Sequence, residues 1–384
     1  MKYMGSKRYM LDNGLGRLIR EQISHTARFV DPFVGAGSVV HFVAKNFGVP
    51  VLASDLQTYS TVLAGAIINR TKPLDSKKLC VSWVDKAHGY ANKSGLFQKA
   101  ARFEETMTKI TIRDIPPFVK SARKLCEQQS AIGPVWNAYG GHYYGPSQAL
   151  AFDYLLKNVP KKEPQRLVCL AALITAASKC AAAPGHTAQP FQPTRTAGKY
   201  LIGSWRIDPF TTCKKALETI CPQYAKVKGK VMVGDVFDVI GQVRGGDLVI
   251  VDPPYSGVQY SRFYHVLETI ARGKCGPVEG RGRYPNIEER PQSVFSNVSQ
   301  SKKAVEDLLS ALSKVKAKVI FTFPKGKCSN GLSGSMIKNI SKKYFNIEEE
   351  FVHGRFSTLG GNNQEDNRKS RKNSQELLLL LKPR

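Results

Sequence analysis

One stretch constrains this chain more than any other, Val249-Ile250-Val251-Asp252-Pro253-Pro254-Tyr255. Its branched apolar residues read as a short strand. Two consecutive prolines cannot donate to a sheet ladder, so the strand must stop there. An acid, two rigid carbonyls and an aromatic ring are thereby gathered at a strand's C-terminal edge, where open α/β sheets bind their ligands. Such a cluster suits a flat amine. The Asp252 carboxylate and a proline carbonyl can both accept hydrogen bonds from an exocyclic NH2, while the Tyr255 ring stacks on the base that carries it. The plain alternative is a strand followed by a proline turn, and the rest of the chain must decide between them.

Charge supplies the next constraint. The 384 residues carry 57 Lys+Arg against 30 Asp+Glu, a formal charge of +27. Solubility rarely needs so large an excess of one sign, and a polyanionic partner, nucleic acid first, is expected. Neither a basic amphipathic helix nor a lipidation signal points to a membrane. No apolar run approaches the roughly 20 residues of a membrane helix, and the first residues lack the apolar core of a signal peptide. The eight cysteines are scattered without a C-x-x-C pair, which reads as reduced thiols rather than a zinc site or a disulfide framework. A cytoplasmic, nucleoid-associated protein without a bound metal is expected, long enough for two domains.

Taken in order, residues 2–9 are basic and aromatic around Gly5, and Leu11, Leu15, Leu18, Ile19 and Ile23 then form a helical stripe. Phe29 to Ser38 reads as a short strand running into a Gly-rich turn, with a helix from Ser38 to Asn46. A second strand from Val49 to Ala53 ends in Ser54-Asp55, and Asp55 lies 18 residues after Gly37. That is close to the spacing at which an acid meets ribose hydroxyls in nucleotide-binding βαβ units. A third glycine is missing, and Asp31-Pro32-Phe33 stands where a dinucleotide fold has none of these. The expected ligand is therefore a nucleoside without a pyrophosphate, and S-adenosyl-L-methionine fits.

Between 73 and 225 the composition changes. Basic pairs (Lys77-Lys78, Lys161-Lys162) accompany an aromatic, glycine-rich run from Trp136 to Tyr144, a buried helix from Leu167 to Cys180 and a polar loop from Ala183 to Phe191. This reads as an inserted, mainly helical domain in which Tyr139, His186 and Gln189 are candidates for DNA contact. For each of them the alternative is a packed aromatic or a turn polar. The α/β pattern resumes with Val231 to Phe237, a strand ending in Gly234-Asp235, and then the Asp252 strand. A helix from Phe263 to Ala271, a loop-rich stretch at 273–301, a helix from Lys302 to Ser313, a strand from Val319 to Phe323 and a helix from Ser335 to Tyr344 follow. Two last strands, Ile347 to Val352 and Leu377 to Leu381, flank a polar loop from Gly354 to Ser374 that carries Arg355, Arg368, Lys369, Arg371 and Lys372.

These residues resemble a known family. Phe33-Val34-Gly35-Ala36-Gly37 resembles the F-x-G-x-G cofactor motif of S-adenosylmethionine-dependent amino-methyltransferases, and Asp252-Pro253-Pro254-Tyr255 resembles their D-P-P-Y motif. Tyr3-Met4-Gly5-Ser6-Lys7 is similar to the N-terminal W-x-G-x-K motif, and Arg355-Phe356-Ser357 to Glu376-Leu377-Leu378 resembles the R-x-S…E-L-L ending. The order, with a long insert before D-P-P-Y, is similar to the alpha group of DNA adenine-N6 methyltransferases, the Dam-like enzymes. The resemblance implies a doubly wound, Rossmann-like α/β catalytic domain (1–72 and 226–384) with an inserted target-recognition domain (73–225). It implies that Tyr3 and Lys7 border the methionine end of the cofactor and that Asp31, Phe33, Gly35 and Gly37 cradle it. Asp55 would bind the ribose and Asp235 the adenine amine of the cofactor. Asp252, Pro253, Pro254 and Tyr255 would form the catalytic motif, holding the amine of a base flipped out of double-stranded DNA. A cognate restriction endonuclease is a possible partner, and oligomeric state is left open. Cytosine-N4 methylation, which more often goes with Ser in place of Asp252, RNA modification and a non-catalytic DNA-binding protein are the competing readings.

Overall fold

Near-continuous apolar runs are what strands buried on both faces require, and they form the middle of a seven-stranded sheet. The computed structural model describes residues 7–128, 133–357 and 371–384, with 353–357 and 371–374 described for their backbone alone. Tyr3, Arg368 and Lys369 therefore lie outside the described residues. The strands are β1 (Arg28–Asp31), β2 (Val51–Asp55), β3 (Lys230–Val233), β4 (Asp247–Val251), β5 (Val278–Glu279), β6 (Tyr284–Pro285), β7 (Lys318–Pro324), β8 (Phe345–Ser357) and β9 (Arg371–Pro383). The large sheet has the order β3-β2-β1-β4-β7-β9-β8, and β5 and β6 form a separate two-stranded ribbon. Strands β3, β2, β1, β4 and β7 are mutually parallel, and β9 runs antiparallel between β7 and β8. This is the doubly wound α/β sheet expected from the sequence. Its order reverses between β1 and β4, the switch point at which such sheets bind ligands.

Side-chain alternation divides the core into two layers. Val249 and Val251 of β4 join Val319, Phe321 and Phe323 of β7 on one face, packed by Leu308, Leu309 and Leu312 of the helix Ser301–Lys314. Leu248 and Ile250 join Ile320 on the other, packed by Leu15, Leu18, Ile19 and Ile23 of the helix Leu15–Ile23. A period of two in the strands meets a period of 3.6 in the helices, and each face of the sheet is covered.

The chain divides into two compact units. One holds Met4–Lys72, Tyr224–Ser261 and Pro291–Arg384, and contains the large sheet. The other is mainly helical and holds Pro73–Gln223 with Arg262–Arg290. The sequence reading kept everything after residue 225 in the catalytic part, and the structure differs at 262–290. Long-range bonds account for the difference. The Thr187 hydroxyl and backbone N–H both donate to the Phe263 carbonyl at 2.8 and 2.7 Å. The Arg283 guanidinium donates to the Ala138 carbonyl at 2.7 Å, and Tyr139 and Thr269 share a hydroxyl bond of 2.9 Å.

The same unit corrects a second expectation. Trp136, Tyr139, Tyr143 and Tyr144 are all buried, with Tyr139 at 0% exposure, so the aromatic run is core and Tyr139 has no surface to offer DNA. The polar segment Gly354 to Ser374 is also revised. β8 continues to Ser357 and β9 begins at Arg371, with Gly354 opposite Ser374 and Ser357 opposite Arg371. A ladder needs only backbone groups, so polar composition did not prevent it.

One buried carboxylate in the helical unit makes a testable support. Asp153 accepts hydrogen bonds from the Val135 and Trp136 N–H groups at 3.0 and 2.8 Å, capping the helix Pro134–Tyr139. Burial pushes its pKa up to about 7. Asp153→Ala should strand both buried donors and lower stability by roughly 1–3 kcal/mol for each, measured as a reduced urea midpoint.

Candidate functional site

Four neighbouring parallel strands end in aspartate at one edge of the sheet. Asp31 is the last residue of β1 and Asp55 the last of β2, Asp252 directly follows β4, and Asp235 lies two residues beyond β3. Asp55 organises the turn between β1 and the helix Ser38–Asn46. Its carboxylate accepts from the Gly35 N–H and the Gln57 N–H, both at 2.9 Å. Gly35 (φ 53°) and Gly37 (φ 77°) occupy the left-handed region that a side chain would strain, and a Cβ at Gly37 would stand 2.9 Å from the His41 ring. Asp235 accepts from the Phe237 N–H at 3.0 Å and caps the short helix Val236–Ile240. Phe33 meets Phe295 edge to face at 5.2 Å, and Phe237, 40% exposed, stacks on Phe295 at 6.4 Å. An aromatic wall thus stands beside the aspartates. The sequence pattern singled out neither Phe237 nor Phe295, although the first lies only two residues past Asp235.

Asp252 is the most heavily constrained of the four. Its Oδ1 lies 2.9 Å from the Lys7 Nζ and accepts the Thr322 hydroxyl at 2.6 Å. Lys7 is buried and also meets Glu376 at 3.5 Å. Burial alone would lower the Lys7 pKa, but the charges of Asp252 and Glu376 outweigh it and hold the ammonium above its ordinary range. Among the described residues, the contacts to the Asp252 carboxylate from Lys7 and Thr322 both fall on Oδ1. Behind it, Asn330 Nδ2 donates to the Pro254 carbonyl at 2.9 Å. Burial raises the pKa of the Tyr255 hydroxyl, and the Tyr255 ring meets Tyr260 edge to face at 6.5 Å.

The described candidates Lys7, Asp31, Phe33, Gly35, Gly37, Asp55, Asp235 and Asp252 to Tyr255 thus belong to one unit and one sheet edge. Thr322, Asn330 and Glu376 join them without having been assigned a role in advance. Thr322 left a faint signal, a lone hydroxyl inside the apolar run Val319 to Phe323. The DNA-contact candidates are scattered. His186 is partly buried, its Nδ1 accepting from the Ala188 N–H at 3.1 Å and its ring packed on Phe263, whereas Gln189 is exposed. Arg355, Arg371 and Lys372 have only their backbone described. Among the described residues no group of three or more His, Cys, Asp or Glu could hold a metal, and no helix is long and apolar enough to cross a membrane.

Asp31 is 3% exposed, and its Oδ1 accepts the Phe33 N–H at 3.0 Å. Burial raises its pKa to about 8. The Phe33 bond opposes that rise, and the charges of Asp252 and Asp55 reinforce it. A carboxyl whose folded pKa lies above its unfolded value stabilises the fold at low pH and loses that contribution as pH rises through the folded pKa. Asp31→Asn, which keeps an acceptor for Phe33, should therefore gain melting temperature relative to the wild type between pH 4 and 8, with a plateau above. A difference that stays constant across pH would contradict the buried, protonated carboxyl.

Residues 3–118 and 194–322 match the family described as D12 class N6 adenine-specific DNA methyltransferase. These segments contain the Gly-rich turn, the four aspartates and Thr322. The chain is similar to the type II methyltransferase M.FokI of Planomicrobium okeanokoites, 26% identical over 300 residues covering 76% of this chain and 40% of the relative. It is also similar to the modification methylase LlaI of Lactococcus lactis subsp. lactis, 24% identical over 318 residues covering 80% of this chain and 44% of the relative. The chain thus spans less than half the length of either relative. With more than half of its residues matching the family, and the family's motifs meeting at the reversal point of the sheet, the chain belongs to the D12 class of N6 adenine-specific DNA methyltransferases.

Proposed function

We propose that this chain transfers a methyl group from S-adenosyl-L-methionine to the N6 amino group of an adenine flipped out of duplex DNA. The observation that carries the reading is the held carboxylate of Asp252, one oxygen fixed by Lys7 and Thr322, with the Pro-Pro-Tyr arm directly after it. The edge also suits the cofactor. Its row of aspartates, Asp235, Asp55, Asp31 and Asp252, suits a ligand that carries two cationic centres, a ribose diol and an adenine amine besides its one carboxylate. Asp55, at the end of β2 beside the Gly-rich turn, suits the diol, and Asp235 and the Phe237 ring suit the adenine. Asp31 and Lys7 suit the methionine end, with Tyr3 beside them in the family pattern.

When bound, S-adenosylmethionine supplies a methyl group already activated by its sulfonium. The protein's work is then orientation. Asp252 and the Pro253 carbonyl accept the two amine hydrogens and aim the nitrogen lone pair, and Tyr255 stacks on the base. Thr322 and Lys7 hold the carboxylate in place beforehand, so little reorganisation remains for the chemical step. No strong base is needed, because the nitrogen sheds its proton after the bond has formed.

The DNA contacts follow from charge and topology. Glu376 of β9 lies opposite Pro324, the last residue of β7, so the β9 residues before it extend past the edge that carries Asp252. Arg355, Arg371 and Lys372 stand on this two-stranded extension, and with Arg368 and Lys369 they suit a phosphate backbone. In the helical unit, His186 and exposed Gln189, Arg195, Lys199 and Tyr200 suit target recognition better than the buried Tyr139. The relatives' names support a restriction-modification setting with a cognate endonuclease, and hence a cytoplasmic protein on the nucleoid.

Asp252→Ala should lower single-turnover methyl transfer about 10²- to 10³-fold while leaving cofactor affinity nearly intact, because Lys7 keeps Glu376. Tyr255→Phe should stay active, and Tyr255→Ala should lose the stacking worth about 1–3 kcal/mol per base. A folded, cofactor-binding Asp252→Ala that methylates at the wild-type rate would sink the assignment, and recovery of 4-methylcytosine by mass spectrometry would overturn the choice of base. Neutralising Arg368, Lys369, Arg371 and Lys372 together should flatten the log–log salt dependence of DNA binding. An unchanged slope would remove that segment from the interface.

A further inference from the structure

We propose that Asn330, assisted by Ser329, is a positioning residue for methyl transfer that sets the direction of the Pro-Pro-Tyr arm. The inference rests on the amino-methyl transfer proposed above. Its starting point is a weakness of the arm itself. Pro253 and Pro254 have fixed φ angles but no N–H groups, so no ladder bond can hold them. What remains adjustable is ψ, and the ψ of Pro254 rotates the peptide plane that carries Tyr255. That plane offers two backbone handles, the Pro254 carbonyl and the Tyr255 N–H.

Asn330 takes the carbonyl. It is fully buried, at 0% exposure, in the loop after β7. Its side-chain amide donates to the Pro254 carbonyl at 2.9 Å and to the Phe295 carbonyl at 3.0 Å, which engages both amide hydrogens. Its Oδ1 accepts the Leu332 N–H at 3.2 Å, and its own carbonyl accepts the Ser301 hydroxyl at 2.9 Å. Every polar group of the side chain is therefore directed, and the residue cannot swing without stranding buried partners. Two residues beyond Tyr255, the Gly257 N–H donates to the Ser329 hydroxyl at 2.9 Å. A Cβ at Gly257 would come within 2.6 Å of the Ser329 carbonyl oxygen, so the two loops lie in close contact there. The arm is thus gripped on both sides of Tyr255 by adjacent residues of one loop. The grip also occupies the Pro254 carbonyl, so the Pro253 carbonyl is the one Asn330 leaves for the target amine. Phe295, held by the same amide, carries the aromatic contacts to Phe33 and Phe237, so one side chain joins the base-holding arm to the wall beside Asp235 and the Gly-rich turn.

The test compares the full-length wild type with Asn330→Ala and Ser329→Ala. Cofactor affinity would be read by calorimetry, stability by thermal melting, and the KM for DNA and the single-turnover rate on unmethylated genomic DNA. A misplaced reacting group can cost on the order of 10²-fold, and that loss is expected for Asn330→Ala, with the cofactor Kd within about twofold of the wild type and the KM for DNA changed far less than the rate. Ser329→Ala removes one exposed bond and should lose roughly 2- to 10-fold in rate alone. A folded Asn330→Ala with the wild-type rate would overturn the role, and so would a rate loss that merely tracks losses of cofactor affinity and melting temperature. If Asn330→Ala does not fold, Ser329→Ala decides by the same split, and a wild-type rate there overturns the proposal. A wild type that methylates no DNA at all would instead refute the activity on which the inference stands, and both would fall.

Discussion

A buried lysine held between two carboxylates is the interaction on which the aspartate-lined edge of the sheet depends. Lys7 comes from the N-terminal segment, Asp252 from the end of β4 and Glu376 from β9, so one ammonium joins parts of the chain that are hundreds of residues apart. An isolated charge would not stay there, since burial disfavours it. The two carboxylates make it stable, and with either one removed the other still pairs the ammonium; loss of Lys7 would leave both without their cation, a loss that typically costs roughly 3–5 kcal/mol in a buried pair. The arrangement is better understood as a device for geometry than for stability. It fixes which oxygen of Asp252 faces Lys7 and Thr322 and, in the proposed reaction, which one is left for the amine.

The local acidity of this edge is notable in a chain with a formal charge of +27. The carboxylates of Asp235, Asp55 and Asp252, with the buried Asp31 carboxyl among them, make an edge that repels phosphate and favours cations and neutral amines. Under the proposed reading, the basic excess engages the DNA backbone while the acidic edge admits only what the reaction needs, a cationic cofactor and an uncharged base. The separation of the two signs within one chain thus discriminates between groups of the same substrate. Asp31 marks the limit of that design. Lys7 pairs with Asp252 and Glu376, while burial, reinforced by the charges of Asp252 and Asp55, raises the Asp31 pKa to about 8.

The parts of this site that are written locally were legible in the sequence. A strand that must end at two prolines, glycines at left-handed positions and an acid at the end of β2 each follow from a few adjacent residues. The partners that aim them were not, because their contacts span long sequence distances. Thr322 is 70 residues from Asp252 and Asn330 is 76 from Pro254. The same reason explains why 262–290 pack with the helical unit although they follow the resumed α/β pattern in sequence. It also explains the aromatic run at 136–144. Its composition is equally good for stacking on bases and for packing a core, and only the distant partners of Tyr139 and Tyr143, Thr269 and Gly282, decide for the core.

What connects the local and distant halves is strand register. Val251 lies opposite Phe321 in the β4–β7 pair, so the next residues, Asp252 and Thr322, become neighbours. A slip of one residue would place a phenylalanine, Phe321 or Phe323, beside the carboxylate and leave Lys7 as its sole anchor. It would also turn every β7 side chain to the opposite face. Both faces here are packed, with Val319, Phe321 and Phe323 in one core and Ile320 in the other, so the slip would disrupt two cores at once. The apolar residues of β4 and β7 touch no substrate in the proposed reaction, yet by fixing the register they determine where the Asp252 carboxylate is held.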